Sequence, residues 1–370
     1  MTLQKQLGFW LAAFLVVVLL IYVLADVLLP FVAGLALAYL LDPLASRLER
    51  MGLSRLVATI GILSMFVLLF VLALVLLAPV LVQQLGAFVA RVPQYLTQLQ
   101  AIISERGAPL LERLGMGSVA GAGLQDAQKL FGDFAGQAAA WATRVGTSAL
   151  AGGQAIAGII SLLVITPVVA FYLLIDWNRM VSTLDGWLPR SQRDTIRTLA
   201  TQMDAAIAGF LRGQSMVCLL LGSYYAVGLW AMGLHFGVLI GLVSGFLSFI
   251  PYIGSITGLL LAVGVATVQF WPDWTMPLIA FAIFASGQFI EGNVLSPKLV
   301  GEAVGLHPVW LMFALVAFGS LFGFLGLLLA VPLAAIMGVL SRFALGQYLA
   351  SPLYSGRIGK KSDDLGGLDG

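Results

Sequence analysis

The sequence predicts an all-α, polytopic integral membrane protein with about eight transmembrane helices and a re-entrant or broken helical hairpin in its C-terminal half. Three observations lead there. Of 370 residues, 60% are hydrophobic and only 10% charged, with a mean hydropathy of +1.02, a balance that soluble domains do not sustain over such a length. The apolar residues fall into runs near the roughly 20 residues that a helix needs to cross a hydrocarbon core about 30 Å thick. Beyond residue 237 the runs become short, or are interrupted by Gly and Pro.

In chain order, the first apolar run follows Lys5 and imitates a signal peptide. Its hydrophobic part is too long and Asp26 leads straight into a second run, so it reads as a retained anchor. Spans are expected at 9–29, 31–48, 57–82, 149–175 and 216–234, followed by runs at 237–250, 256–270, 277–295 and 308–340. Basic residues set the orientation, because short loops rich in Lys and Arg stay in the cytoplasm. Arg47, Arg50 and Arg55 mark one such loop, Arg179, Arg190, Arg193, Arg197 and Arg212 a second, and Arg342, Arg357, Lys360 and Lys361 the C-terminal tail. With Lys5 also inside, both termini are expected in the cytoplasm and the crossings are even in number. Either the last run folds as a hairpin around its glycines, or the pair between 237 and 270 dips in and returns.

The expected organisation is therefore transmembrane helices one to three (1–82), an extracytoplasmic helical insertion (83–147), helix four (148–176), a cytoplasmic amphipathic linker (177–212), a C-terminal transport core of Gly- and Pro-broken helices (213–345) and a disordered cytoplasmic tail (346–370). The insertion carries Arg91, Glu105, Arg106, Glu112 and Arg113 beside apolar residues at helical spacing, Leu96, Leu99, Ile102 and Ile103. The linker opens with Ser191-x-x-Asp194, a helix start signal, and then spaces Ile196, Leu199, Met203, Ile207 and Phe210 by three or four.

The six residues 258–263, Gly-Leu-Leu-Leu-Ala-Val, recur at 326–331, with Pro251 before the first copy and Pro332 directly after the second. Paired broken segments of this kind are where transporters expose backbone to a substrate, and leucine-rich coincidence is the competing explanation. Gly237, Gly241 and Gly245 recur every four residues, and Gly319, Gly323 and Gly326 cluster near the middle of the last run. Such smooth helix faces let another backbone approach closely.

The stretch 281–297 is fit for hydrocarbon yet holds Gln288, Glu291 and Asn293 within six positions. A carboxylate at membrane depth is costly unless it is paired, protonated or wetted. Gln288 and Glu291 share a helix face, Asn293 lies to the side, and Pro297 is expected to end or kink the helix. Three readings compete: a wetted Glu291 in a terminal ion pair with Lys298, a Glu291 that lines a substrate path or carries a coupling proton, and a role at a subunit contact.

Other constellations are poor. The lone Cys218 excludes a disulfide within the chain and a thiolate cluster, while His235 and His307 have no partner at metal-ligand spacing. His307 before Pro308 reads as a helix-start residue. No cofactor, no metal and no enzyme activity are expected, since nucleophile, phosphate-loop and zinc-helix motifs are all missing. The net charge of +2 offers no basic surface for nucleic acid. Any transport would be secondary or passive, with the lipid bilayer and a small molecule or ion as partners.

The run from Phe289 to Leu340, with its E-x-N-x-x-x-P pattern (Glu291, Asn293, Pro297), Gly305-Leu-His-Pro308 and "GLLLAVP" (Gly326 to Pro332), resembles the AI-2E transporter family, also called the autoinducer-2 exporter or PerM-like permease family. "SFIPYIGSITG" (248–258) and "FLRGQ" (210–214) are similar to other recurring stretches of that family. The resemblance implies a bacterial inner (plasma) membrane protein of about eight spans, a homo-oligomer with the pentamer as the candidate size, and transport of small solutes. Some relatives are linked to autoinducer-2 export and others to sodium–proton antiport. By motif position it marks Glu291, Asn293, Pro297, Pro251, Gly254, Arg212 and Gln214, to which the polar cluster adds Gln288. In this reading Pro251 and its glycines supply bent backbone, Glu291 and Gln288 a polar or titratable site, and Arg212 a partner for a carboxylate at the cytoplasmic mouth. The alternatives are a sodium–proton antiporter of the same family and, from another class, a non-transporting scaffold that binds a partner through its outer helical domain.

Overall fold

The computed structural model describes residues 24–102, 153–300, 307–351 and 354. Among them the regular structure is helical throughout: α1 (Ala25–Arg50), α2 (Arg55–Ile102), α3 (Gly153–Gly186), α4 (Arg193–Ala231), α5 (Gly237–Leu247), α6 (Ile253–Gln269), α7 (Thr275–Ile290) with a π-helical continuation (Glu291–Val300), and α8 (Pro308–Leu349). Six stretches of the described residues are long and apolar enough to cross a membrane: Leu28–Arg50, Arg55–Leu77, Leu163–Gly186, Arg193–Ala231, Thr275–Val300 and Pro308–Leu349. The apolar helices α5 and α6 have 11 and 17 residues, about 17 and 26 Å of rise, both short of a hydrocarbon core of about 30 Å.

The chain forms two compact units. The larger comprises Val27–Trp177 and Arg212–Leu299; the smaller comprises Asn178–Leu211 and Val300–Gly370 with Met1–Asp26.

In the larger unit α1, α2 and α3 share a core of Leu37, Leu41 and Ala45, Ile62 and Leu63, and Ala170 and Leu174. Gly34 permits the close α1–α3 approach, since a Cβ there would lie 2.7 Å from the Val169 side chain. The expected boundary near residue 30 is corrected: α1 starts at Ala25 and carries Pro30 inside it. Proline is tolerated inside membrane helices, and between α1 and α3 Thr166 Oγ1 donates to the Pro30 carbonyl at 3.3 Å. The rest of the expected first span lies outside the described residues. Arg55, read from the sequence only as a loop charge, ties all three helices. It donates to Asp42 (2.6 Å), Ser46 (3.1 Å), Glu49 (3.3 Å) and the Leu174 carbonyl (3.0 Å).

Helix α2 has 48 residues, about 72 Å of rise, so the start of the expected 83–147 insertion is a continuation of this helix. Its extension reaches α5. Gln84 Oε1 accepts from the Leu239 N–H at 3.0 Å, a first-turn donor with no partner inside its own helix. The Phe88 ring meets Phe236 edge-on at 5.4 Å, with the Arg91 guanidinium 5.9 Å from the centre of the Phe236 ring. The remainder of the insertion lies outside the described residues.

Helices α5 and α6 pack against α4 and α7 through glycine. A Cβ on Gly245 would lie 2.5 Å from Gly222 N, one on Gly241 2.6 Å from the Tyr225 carbonyl carbon, and one on Gly237 2.9 Å from the Leu229 carbonyl oxygen. On α6, a Cβ on Gly258 would lie 2.6 Å from the Phe284 ring.

In the smaller unit, Asp185 binds both Arg193 and Arg197 across the turn that follows Gly186. The expected 177–212 linker is not bounded by helix ends: α3 runs on to Gly186, and α4 continues unbroken from Arg193 to Ala231. No proline interrupts that stretch. The helix begins two residues after Ser191, and Asp194 occupies its first turn, where a negative charge complements the helix dipole. His307 starts α8, its Nδ1 accepting from the Val309 N–H at 3.3 Å with Pro308 in the first helical position. Within α8 the helix breaks at Gly323, with φ 59° and ψ −136°, a backbone region closed to other residues. A Cβ on Gly326 would lie 2.6 Å from the Phe318 carbonyl carbon, and one on Gly319 2.7 Å from Leu327. A straight helix would set residues 318 and 326 about 12 Å apart along its axis. The chain therefore turns back on itself at Gly323.

Candidate functional site

The candidates of the larger unit gather in two places. The first is the break between α5 and α6. Gln214, buried on α4, donates its Nε2 to the Ser248 carbonyl at 2.6 Å, just past the end of α5. Ser248 and Ser244 donate in turn to carbonyls one turn back, at 2.8 and 2.5 Å. Pro251 is half-buried, and Tyr252 takes a left-handed φ of 68°, a conformation that strains a residue other than glycine. Gly254 is buried where a Cβ would lie 2.5 Å from the Ser244 carbonyl oxygen. The bent backbone is thus held by tight turns, with the Phe249, Ile250 and Ile253 N–H groups each donating three residues back, and by one buried amide.

The second place is the end of α7. Here Gln288 Nε2 donates to Glu291 Oε2 at 2.6 Å, and Asn293 Nδ2 donates to the Phe289 carbonyl at 2.9 Å. Glu291 is half-buried, while Gln288, Asn293 and Pro297 are exposed on the protein surface. Pro297 does not end the helix; the chain widens into a π-helix from Glu291 to Val300 that contains it. The Glu291–Lys298 ion pair is not formed, and Gln288 is the partner instead. Widening alters the angular step per residue, so a side chain two α-turns on does not return to the same face.

Arg212 is in neither place. It is exposed and donates its Nε to the Tyr39 carbonyl at 2.9 Å, with no ion pair to a carboxylate among the described residues. In the smaller unit a cleft of about 490 Å³ lies between Thr198 and Gln202 on one side and Val339 and Arg342 on the other. None of the candidate path residues lines it. Among the described residues no cluster of His, Cys, Asp and Glu could hold a metal.

Two residues escaped the sequence reading. Tyr224 and Tyr225 on α4 both bring their hydroxyls to α7. Tyr224 Oη and Ser286 Oγ share a hydrogen bond of 2.7 Å, while a Cβ on Gly287 would lie 2.5 Å from Tyr225 Oη. The Tyr225 ring stacks on Phe284 with centroids 4.2 Å apart. The signal was present: two adjacent tyrosines, each with a polar tip, in the middle of an apolar run.

Six long apolar helical stretches, one of them carrying a half-buried carboxylate, are those of a multi-pass membrane protein, and the family comparison gives its class as transporter. The chain belongs to the AI-2E transporter family: the profile described as AI-2E family transporter matches residues 11–346. It is 30% identical over 323 residues to a protein of Escherichia coli (strain K12) provisionally named permease PerM, covering 86% of this chain and 87% of that one. A provisionally named transport protein of Bacillus subtilis (strain 168), YrrI, is 35% identical over 175 residues, which is 47% of this chain and about half (48%) of that protein. A similarly named protein of Synechocystis, sll0063, is 29% identical over 308 residues, 81% of this chain and 73% of that one.

Proposed function

We propose that the chain is a secondary or channel-like exporter of small polar solutes of the autoinducer-2 kind, with its path along α4 to α7. The observation that carries this reading is Glu291: a half-buried carboxylate clasped by an amide, at the start of a π-helical segment inside an otherwise apolar helix. Such residues mark solute and ion paths, because elsewhere their desolvation is uncompensated. Gln214, Pro251 and Gly254 supply the second part of the path, where bent backbone offers carbonyls to a solute. The short α5–α6 pair acts as a re-entrant hairpin and α8 crosses twice around Gly323, which together with α1 to α4, α7 and the expected span at 9–29 gives about eight crossings, with both termini in the cytoplasm of a bacterial inner membrane. The working form is a homo-oligomer, with a pentamer as the candidate size. A second reading, sodium–proton antiport, is favoured by the same carboxylate, since a group that binds either cation is the minimum such exchange requires.

The test is flux in proteoliposomes of purified protein, with autoinducer-2, sodium and proton gradients as separate arms and Glu291→Gln in parallel. The expected result is flux in one arm that disappears in the variant while expression and assembly stay intact. Unchanged flux in Glu291→Gln rejects the role of Glu291. Intact protein that moves none of the three supports the scaffold alternative.

A further inference from the structure

The cleft of the smaller unit has walls of two kinds. Thr198, Leu199 and Gln202 share one face of α4, and Val339, Arg342 and Phe343 share one face of α8, each set at three- and four-residue spacing. Its volume of about 490 Å³ is that of a small-ligand site. Val339 is buried and Leu199 and Phe343 are half-buried, whereas Gln202 and Arg342 are exposed, so the lining passes from apolar to polar. Arg342 is the first charged residue after Glu302, and it marks the level at which the apolar length of α8 meets water. Among the described residues its guanidinium forms no ion pair or hydrogen bond, and neither does the Gln202 side-chain amide. The one carboxylate in the lining, Asp194, is fully exposed and has Arg197 4.0 Å away, so water and a neighbouring cation screen it.

We propose that this cleft holds an anionic phospholipid, with the headgroup phosphate on the Arg342 guanidinium and the Gln202 amide and an acyl chain along Leu199, Val339 and Phe343. The guanidinium fork matches two phosphate oxygens, and the amide adds a third donor. The apolar walls serve an acyl chain, for which a free phosphate has no counterpart. Basic pockets between membrane helices collect anionic headgroups in this way. None of the residues involved belongs to the proposed solute path, so the site stands or falls independently of it.

The test titrates full-length protein in detergent with phosphatidylglycerol, with phosphatidylcholine and inorganic phosphate as separate arms, reading bound lipid by native mass spectrometry and Tm in parallel. Phosphatidylglycerol binds and raises Tm, while the other two do neither at the same concentrations. Arg342→Gln removes no bond among the described residues and keeps the wild-type Tm without lipid, but raises the half-saturating phosphatidylglycerol concentration about tenfold or more, the worth of a charged hydrogen bond. Arg342→Lys recovers part of that loss. Arg190→Gln, which removes an exposed arginine outside the cleft with no ion pair among the described residues, changes nothing. Equal binding of phosphatidylcholine, or an equal loss in Arg190→Gln, overturns the proposal, because the lipid is then gathered by general apolar surface or general charge. A Tm rise with inorganic phosphate equal to that with the lipid overturns it in favour of a free anion. If Arg342→Gln yields no folded protein, Gln202→Ala carries the same comparison with an expected loss of about three- to tenfold, and unchanged affinity there overturns the site.

Discussion

Adding one methyl group to Gly245 tests the contact between α4 and α5 where backbone meets backbone. In Gly245→Ala the new carbon lies 2.5 Å from Gly222 N and 3.0 Å from the Cys218 carbonyl oxygen, while comfortable contact begins near 3.5 Å. No side chain can swing aside, so the helices must part by about 1 Å, and a gap of that size forfeits up to half of each dispersion contact along the seam. Overpacking of this kind costs about 1–3 kcal/mol, and the rigid backbone on both sides puts Gly245→Ala at the top of that range. Better helix propensity returns about 1 kcal/mol, leaving a net loss of about 2 kcal/mol by these two terms. Gly264→Ala is the control: it lies inside α6 with nothing within 4 Å of a new Cβ, so it keeps the propensity gain of about 1 kcal/mol. Thermal unfolding in detergent, followed by the fluorescence of the eight tryptophans, should therefore move in opposite directions for two chemically identical substitutions. A Tm for Gly245→Ala equal to or above wild type, or an equal fall in both variants, refutes the argument.

Two further outcomes follow from the structure. Arg55→Met leaves Asp42, Ser46, Glu49 and the Leu174 carbonyl without their shared donor. Because Asp42 and Glu49 are about half exposed, the loss is about 1–3 kcal/mol rather than the full value of a buried network. It reads as a lowered Tm that Arg55→Lys only partly restores, an ammonium being unable to reproduce the guanidinium fork; full restoration by Lys would contradict the fork geometry. Asp273 sits before α7, where the Thr275 hydroxyl first, and then the Thr275 N–H at 2.8 Å, hold its carboxyl below the usual carboxylate range. A group lowered on folding stabilises the native state above its unfolded pKa of about 3.9, and that contribution is lost as pH falls through the lower folded value. The Tm difference between wild type and Asp273→Asn should shrink as pH drops from 6 towards 3; a constant difference would show that the charge has no part in it.

The helical class, the shortness of the segments after residue 237 and the polar cluster at 288–293 were legible because each is a matter of local composition. The amide pair of Gln288 and Glu291 was also within reach, as three-residue spacing puts them on one face. What escaped depends on partners far along the chain. Arg55 was legible as a charge but not as the knot of three helices, since its acceptor at Leu174 is 119 residues away. Tyr225 was hidden because an aromatic residue in an apolar run is ordinary until its ring is seen stacked on Phe284 of another helix. The Ser191-x-x-Asp194 signal located the helix start to within two residues: the turn from Pro189 pairs the Gln192 N–H, and the helix forms just beyond it with Asp194 in its first turn. The merging of linker and span into one α4 was hidden by the change from amphipathic to wholly apolar composition, which marks a change of surroundings without ending the helix.

The π-helical segment explains why the polar residues of α7 lie where they do. A proline inside a helix removes one donor and crowds the turn before it. In lipid the freed carbonyls have no water to turn to, so the helix must end, kink or find other donors. Here the turn widens, which relieves the crowding, and the widening starts at Glu291, six residues before Pro297. Where an α-helix passes into a π-helix, a carbonyl near the junction loses its usual donor four residues on. Near this junction the Asn293 side chain donates to the carbonyl of Phe289, four residues back, at 2.9 Å. Glu291 stands at the same junction with Gln288 as its donor. The spacing of Gln288, Glu291, Asn293 and Pro297 therefore sets three things side by side: a proline that disfavours a regular α-helix, an asparagine bonded to a backbone carbonyl near the junction, and a glutamine that holds the carboxylate where the widening begins. A carboxylate fixed beside a widened turn has two neighbours that can exchange partners at little cost, its amide clasp and the loosened backbone. On the transport reading proposed above, such an exchange would let the site bind and then release a solute.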